Sequence, residues 1–180
     1  MIRIILICGI VAGLIPTVPM VWGMLTLTEA TAPENGAFYG YLSMILGLTA
    51  VFLGVKRHRD KALGGVIKFV PALLIGLGIS AVASLIWAIG WEISLALTGF
   101  DFADAYAEGL LATARARGAT EAELQKIITD AAAFAKMYAN PLYRVPITFV
   151  EMFPVGVVIS LISAALLRNS RFLPARGNAA

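Results

Sequence analysis

The sequence predicts an all-α fold, a four-transmembrane-helix bundle with an extracytoplasmic helical hairpin between the third and fourth spans. Three observations carry this expectation. The 180 residues are 59% hydrophobic and 14% charged, with a mean hydropathy of +0.85, which is more apolar surface than a soluble domain can cover. Four apolar runs each approach the length that crosses a hydrocarbon core of roughly 30 Å at about 1.5 Å per helical residue. The basic residues gather at the ends of those runs and not along one polar face. The whole chain, 1–180, therefore reads as a single integral membrane domain, with spans at about 4–27, 38–55, 69–95 and 147–167 and an insert at 98–145.

The first run follows Arg3 and stays uncharged to Thr28. Its Gly9 and Gly13 form a GxxxG pair suited to close helix contact. Pro16 and Pro19 should kink its outer half, which is tolerated where neighbouring groups satisfy the freed carbonyls. The rival reading is a secretory signal, because Ala30-Thr31-Ala32 has the small-x-small form of a cleavage site. The apolar run is about twice the length of a usual signal core, so a retained helix is expected. From Thr28 to Ala37, Glu29, Pro33, Glu34 and Asn35-Gly36 supply turn chemistry.

The second span opens with Tyr39 and Tyr41 as interface anchors. Gly40, Ser43, Gly47 and Gly54 lie nearly on one stripe, as helix packing requires. Lys56-Arg57-His58-Arg59-Asp60-Lys61 and Gly64-Gly65 then read as a basic loop on the cytoplasmic side, in reach of anionic lipid head groups. His58 is the one histidine in the sequence. Without a second soft ligand nearby it reads as a solvated loop residue, not a metal ligand.

The third span has no charge between Lys68 and Glu92. Gly76, Ser80, Ser84 and Ala88 fall at spacing four along it, a ridge of small residues on one face where another helix can approach. Trp87 and Trp91 sit toward one end, as amphipathic rings do at head-group level. In the insert, Phe100, Phe102, Tyr106 and Leu110 predict a short amphipathic helix ending near Gly118. Thr120-Glu121-Ala122-Glu123 has the form of a capping box that starts a second helix. Leu124, Ile127, Ile128, Ala131, Phe134, Ala135 and Tyr138 give that helix one greasy face, and Asn140-Pro141 ends it. The last span carries Gly156, Ser160 and Ala164, again at spacing four and a natural mate for the first ridge, while Pro154 should bend it. Arg168, Arg171 and Arg176 follow in a tail too polar and brief to fold alone.

Counting charges orients the chain. Nine of the 14 Lys and Arg residues (Arg3, Lys56, Arg57, Arg59, Lys61, Lys68, Arg168, Arg171, Arg176) fall on one side if both termini are cytoplasmic, and five fall on the other. Both termini and the basic run are thus expected inside, with the insert outside.

The stretches GYLSMILGLTAVFLGVKRHRDK with the following Gly64-Gly65, SLIWAIGWEI, and FVEMFPVGVVISLISAALL are similar to a bacterial family catalogued as domain of unknown function 4199. The resemblance implies a four-helix integral membrane protein of bacterial inner membranes. It implies no activity and carries over no catalytic residues.

Chemistry is sparse. Cys8 is the lone cysteine, so neither an intrachain disulfide nor a cysteine metal cluster can form. There is no HExxH, no nucleophile that His58 could serve inside a span and no phosphate loop, so no enzyme, cofactor or metal site is expected. Basic residues at helix ends also argue against nucleic acid. Glu92 and Glu151 are the acidic groups inside or bordering the spans. Ionisable residues at membrane depth often mark ion or proton paths, and two carboxylates brought together would share a proton. The structural alternative leaves Glu92 among interface waters and pairs Glu151 with Arg144 or sets it capping a neighbouring helix. The function expected is a noncatalytic structural or interaction module of the inner membrane, engaging the lipid bilayer, another membrane protein or a second copy. The alternative is a small proton- or ion-coupled transporter using Glu151 and Glu92.

Overall fold

A computed structural model of the chain describes residues 1–26 and 36–175. The predicted turn at Glu29, Pro33 and Asn35, the Ala30-Thr31-Ala32 sequence and Arg176 lie outside the described residues. Among the described residues six helices follow one another: α1 (Ile2–Thr26), α2 (Gly36–Ala62), α3 (Phe69–Thr98), α4 (Phe102–Ala116), α5 (Glu121–Tyr138) and α6 (Pro141–Leu167). Among the described residues no strand occurs. α1, α2, α3 and α6 are long and apolar enough to cross a membrane, so the chain is a multi-pass membrane protein.

α3 is the centre of the bundle. It packs against α1 on one side and α6 on the other, and α2 lies across all three, while α1 and α6 do not touch among the described residues. α1 and α3 run parallel in a reciprocal pattern. Ile5 packs on Gly78, Val82 on Gly9, Ile86 on Gly13 and Thr17 on Gly90, so each turn sets a side chain of one helix over a glycine of the other. A Cβ on Gly9 would stand 2.5 Å from that of Val82 and one on Gly13 would stand 2.8 Å from that of Ile86. Such close backbone approach replaces the hydrophobic drive that lipid removes. α2 meets α1 through Gly54, which lies against the Cys8 sulfur, and through Gly47, which lies against the carbonyl of Ala12. That carbonyl is the one Pro16 leaves without an intrahelical N–H, so the Gly47 backbone covers the acceptor the proline exposes.

Three boundaries differ from the sequence expectation. The basic run is not a loop: α2 continues through Ala62, and Lys56 bonds Asp60 one turn later at 2.5 Å, an i,i+4 pair that carries the helix past its apolar stripe. His58 is accordingly helical and partly buried. The last span starts at Pro141, not near Ile147, because the Asn140 side chain accepts from the Leu142 N–H and proline occupies the first turn, where its missing donor costs nothing. Residues 168–173 are not a loose tail either. They fold back onto α2, with the Phe172 ring edge-on to Phe52 at 6.5 Å.

The anchor of that return is Arg59, which is 0% exposed. Its Nε donates to Asp60 at 2.7 Å, Nη1 to the carbonyls of Phe172 at 2.9 Å and Leu167 at 3.5 Å, and Nη2 to that of Leu173 at 2.5 Å. One guanidinium thus takes up orphan carbonyls where α6 ends. Leu173 sits at φ 46°, a left-handed conformation costly for a branched side chain, and it turns its carbonyl to Arg59.

Gly118 at φ 76° ends α4, and α5 starts with the expected capping box. The Thr120 N–H donates to Glu123 at 2.8 Å and the Thr120 hydroxyl at 3.0 Å, while the Glu123 N–H reaches back to that hydroxyl at 3.4 Å. The backbone bond chiefly, with the hydroxyl bond behind it, holds the Glu123 carboxyl below its ordinary range. A carboxylate depressed in the folded state contributes stability above its ordinary pKa and loses it as pH falls through the depressed value. Amide-exchange protection at residues 121–124 is therefore expected to drop as pH falls below about 4.5, and to lose that step in a Glu123→Gln variant.

Candidate functional site

The most connected polar arrangement lies where α3 and α6 meet near α4 and α5. Its position follows from the packing register. α3 and α6 run antiparallel, with Gly76 against Ser160 and Gly156 against Ser80. The Ser80 and Ser160 hydroxyls stand 3.2 Å apart, and each is also within bonding distance of the carbonyl one turn earlier. Ser84, Ala88 and Ala164, the rest of the two ridges, are fully buried. Among the described residues the buried Ser84 hydroxyl has no hydrogen-bond partner, nor has that of Thr17 on α1.

Each step of four up α3 is matched by a step of four back along α6, and the series ends on Glu92 opposite Arg144. The guanidinium grips the carboxylate with two parallel bonds, Nε to Oε1 at 2.6 Å and Nη2 to Oε2 at 2.5 Å. This corrects the expected partnership: Arg144 pairs with Glu92, not Glu151, because Glu92 is the carboxylate level with it across the seam. The remaining arm of Arg144 donates to the Tyr138 carbonyl at 3.2 Å, and the guanidinium lies 5.5 Å from the Tyr138 ring centre.

Tyr138 joins the bundle to α4 and α5. It is 6% exposed, and its hydroxyl accepts from the Trp91 indole N–H at 2.7 Å. Its ring meets Phe102 of α4 at 5.2 Å and Phe134 of α5 at 5.1 Å, while Phe102 lies edge-on to Trp91 at 5.4 Å. Tyr106 completes the group against Phe102 and Phe134. Burial pushes the Tyr138 phenol pKa up, so the folded state holds the neutral form and loses stability as pH rises past the ordinary value of 10.

Glu151 stands apart. It lies seven residues beyond Arg144, about 10 Å along α6. It is exposed on the outside of the bundle, where its Oε2 accepts from the Trp87 indole at 3.3 Å. The two carboxylates thus share an end of the molecule but have different donors, one cationic and one neutral. A charged side chain near a span's centre costs about 2.5–3.5 kcal/mol on insertion scales, and a single indole N–H offsets only part of that.

Tyr138 was read in the sequence as part of the greasy face of α5 and Glu92 as a candidate site, but the pairing of Glu92 with Arg144 was missed, although a signal was present. Glu92 continues the series Gly76, Ser80, Ser84, Ala88, and Arg144 continues the series Ala164, Ser160, Gly156 through Met152 and Thr148. Exchanging the partners tests the pair. Glu92→Arg or Arg144→Glu alone is expected to lower stability in detergent by about 2–3 kcal/mol, between exposed and buried ion pairs, and the double exchange to restore most of it.

A cleft of about 300 Å³ between α4, α5 and the ends of α3 and α6 is lined by Phe100, Asp101, Phe102, Tyr138 and Arg144 among others. Among the described residues no three His, Cys, Asp or Glu side chains stand close enough to hold a metal ion.

The chain belongs to the family described as protein of unknown function (DUF4199), whose model matches residues 7–169. That range takes in α1 from Ile7 onward, the whole of α2, α3 and α6, and the intervening α4 and α5. No curated protein and no solved structure matches the chain.

Proposed function

We propose that this member of the family is a noncatalytic interaction module of the bacterial inner membrane. Both termini and the basic end of α2 face the cytoplasm, and α4 and α5 form a helical hairpin on the outer side. The observation that carries the reading is the unfinished surface of that hairpin. It is fastened to the bundle through Tyr138 and Trp91, yet Tyr106, Leu110, Ile128 and Met137 remain 38–47% exposed on it. Apolar side chains left uncovered on a polar-flanked element mark a surface that meets another protein, a lipid surface or a second copy. The positive charge gathered at the opposite end supports the orientation.

The test is photo-crosslinking from position 128 in intact cells. Adducts to a second copy, another protein or lipid are expected, and recovery of uncrosslinked monomer alone would count against the proposal. Glu151 at membrane depth, with the unpartnered Ser84 and Thr17 hydroxyls, favours a second reading as a small proton- or ion-coupled transporter. Unchanged flux in liposomes on Glu151→Gln would remove it.

A further inference from the structure

We propose that the α6 face around Glu151 is an intramembrane docking surface for a spanning helix of a different protein, one that carries a lysine or arginine in the half of the bilayer nearer α4 and α5. Glu151 points out of the bundle, and its partner within the chain is the uncharged indole of Trp87 at 3.3 Å. A carboxylate in that position is stabilised most by an opposite charge at the same depth, and intramembrane ionisable groups characteristically find one. The surface beside it is apolar and shallowly concave. Leu142, Tyr143, Pro146, Ile147 and Val150 line an apolar groove of about 300 Å³ along α6, and Ile147 lies one turn from Glu151 on the same face.

Charge decides between the possible occupants. A second copy of this chain brings no counter-charge to that depth. Among the described residues the cations on the spanning helices are Arg3, Lys56, Arg57, Arg59 and Lys61 near the opposite end, and Arg144, which Glu92 already holds through two bonds. Lipid tails carry no charge, and in the proposed orientation head-group ammonium belongs at the outer end of α6, toward Arg144, about 10 Å of helix further out than Glu151. A foreign helix with a basic residue supplies what neither can. This rests on the interaction-module reading and gives it a second contact, within the membrane and remote from the hairpin.

The test uses the full-length protein, labelled with an energy-transfer donor at Thr113→Cys in a Cys8→Ala background, in phosphatidylcholine vesicles. Two acceptor-labelled spanning peptides of leucine and alanine are compared, one carrying a single lysine about 10 Å inside its outer end and one carrying leucine there. The expected result is at least about fivefold tighter association of the lysine peptide, a ratio equivalent to roughly 1 kcal/mol. Glu151→Gln, which keeps the Trp87 hydrogen bond, abolishes the difference, and Glu151→Asp keeps it. Equal association of the two peptides with the unsubstituted chain overturns the proposal without need of a variant, as does a preference that survives Glu151→Gln. Transfer between two labelled copies that is lost on Glu151→Gln names a second copy as the occupant and also overturns it. None of these outcomes alters the crosslinks formed from position 128, so failure here is distinct from failure of the hairpin reading.

Discussion

Replacing Arg59 with alanine is expected to lower the unfolding free energy in detergent by about 3–5 kcal/mol, the range for removing one partner of a buried ion pair. The guanidinium is fully buried and satisfies Asp60 together with the carbonyls of Leu167, Phe172 and Leu173. Alanine leaves those carbonyls without a donor, and Asp60 keeps Lys56 alone. The left-handed Leu173 then loses the contact that holds it, so residues 168–175 should become open to limited proteolysis before the bundle unfolds. Arg59→Lys should recover little of the loss. A point-like ammonium cannot reach a carboxylate and several carbonyls in the way a planar fork does. A variant with unchanged midpoint and an uncut tail would show that the buried guanidinium is not what fastens α2 to the end of α6.

The second large effect is expected at the α3–α6 seam. A methyl group on Gly156 would lie 2.6 Å from the Ser80 Cβ and 2.7 Å from its hydroxyl. Those atoms sit on a fully buried residue that cannot swing aside. Gly156→Ala is therefore expected to cost about 1–3 kcal/mol as overpacking, and Gly156→Leu to prevent α6 from seating at all. Adding Ser80→Gly to Gly156→Ala restores the room, with a coupling of about 0.5–3 kcal/mol between the two positions. Gly109 is the control. A Cβ there meets nothing within 4 Å, so Gly109→Ala should be neutral or gain up to about 1 kcal/mol from helix propensity.

What could be read from the sequence follows the range of the interactions. The capping box at Thr120 and Glu123 is contained in four residues, and it forms as read. The seam was legible because small side chains at spacing four report a face directly, and Gly76, Ser80, Gly156 and Ser160 meet across it. The seam's end was harder to see. Charged residues at a helix terminus resemble ordinary interface groups, although Glu92 and Arg144 keep the same spacing as the ridges they close. Gly90 was not singled out as a packing position because its partner on α1 is the β-branched Thr17 and not another glycine. Arg59 was illegible for a different reason. A count of cations weighs it equally with its neighbours Arg57 and Lys61, and its partners at residues 167, 172 and 173 lie more than 100 positions later.

The proposed orientation of the bundle joins these parts into one account, since it would set α4, α5, the α6 groove and Glu151 toward the outer side. Single cysteines at Thr113 in α4 and at Arg171 after α6, each in a Cys8→Ala background, can be probed in intact cells from which the outer membrane has been removed. Both positions are exposed in the structure. The account predicts that a membrane-impermeant maleimide labels position 113 directly and position 171 only after the membrane is permeabilised. Labelling of 171 in sealed cells, or protection of 113 until permeabilisation, would contradict it.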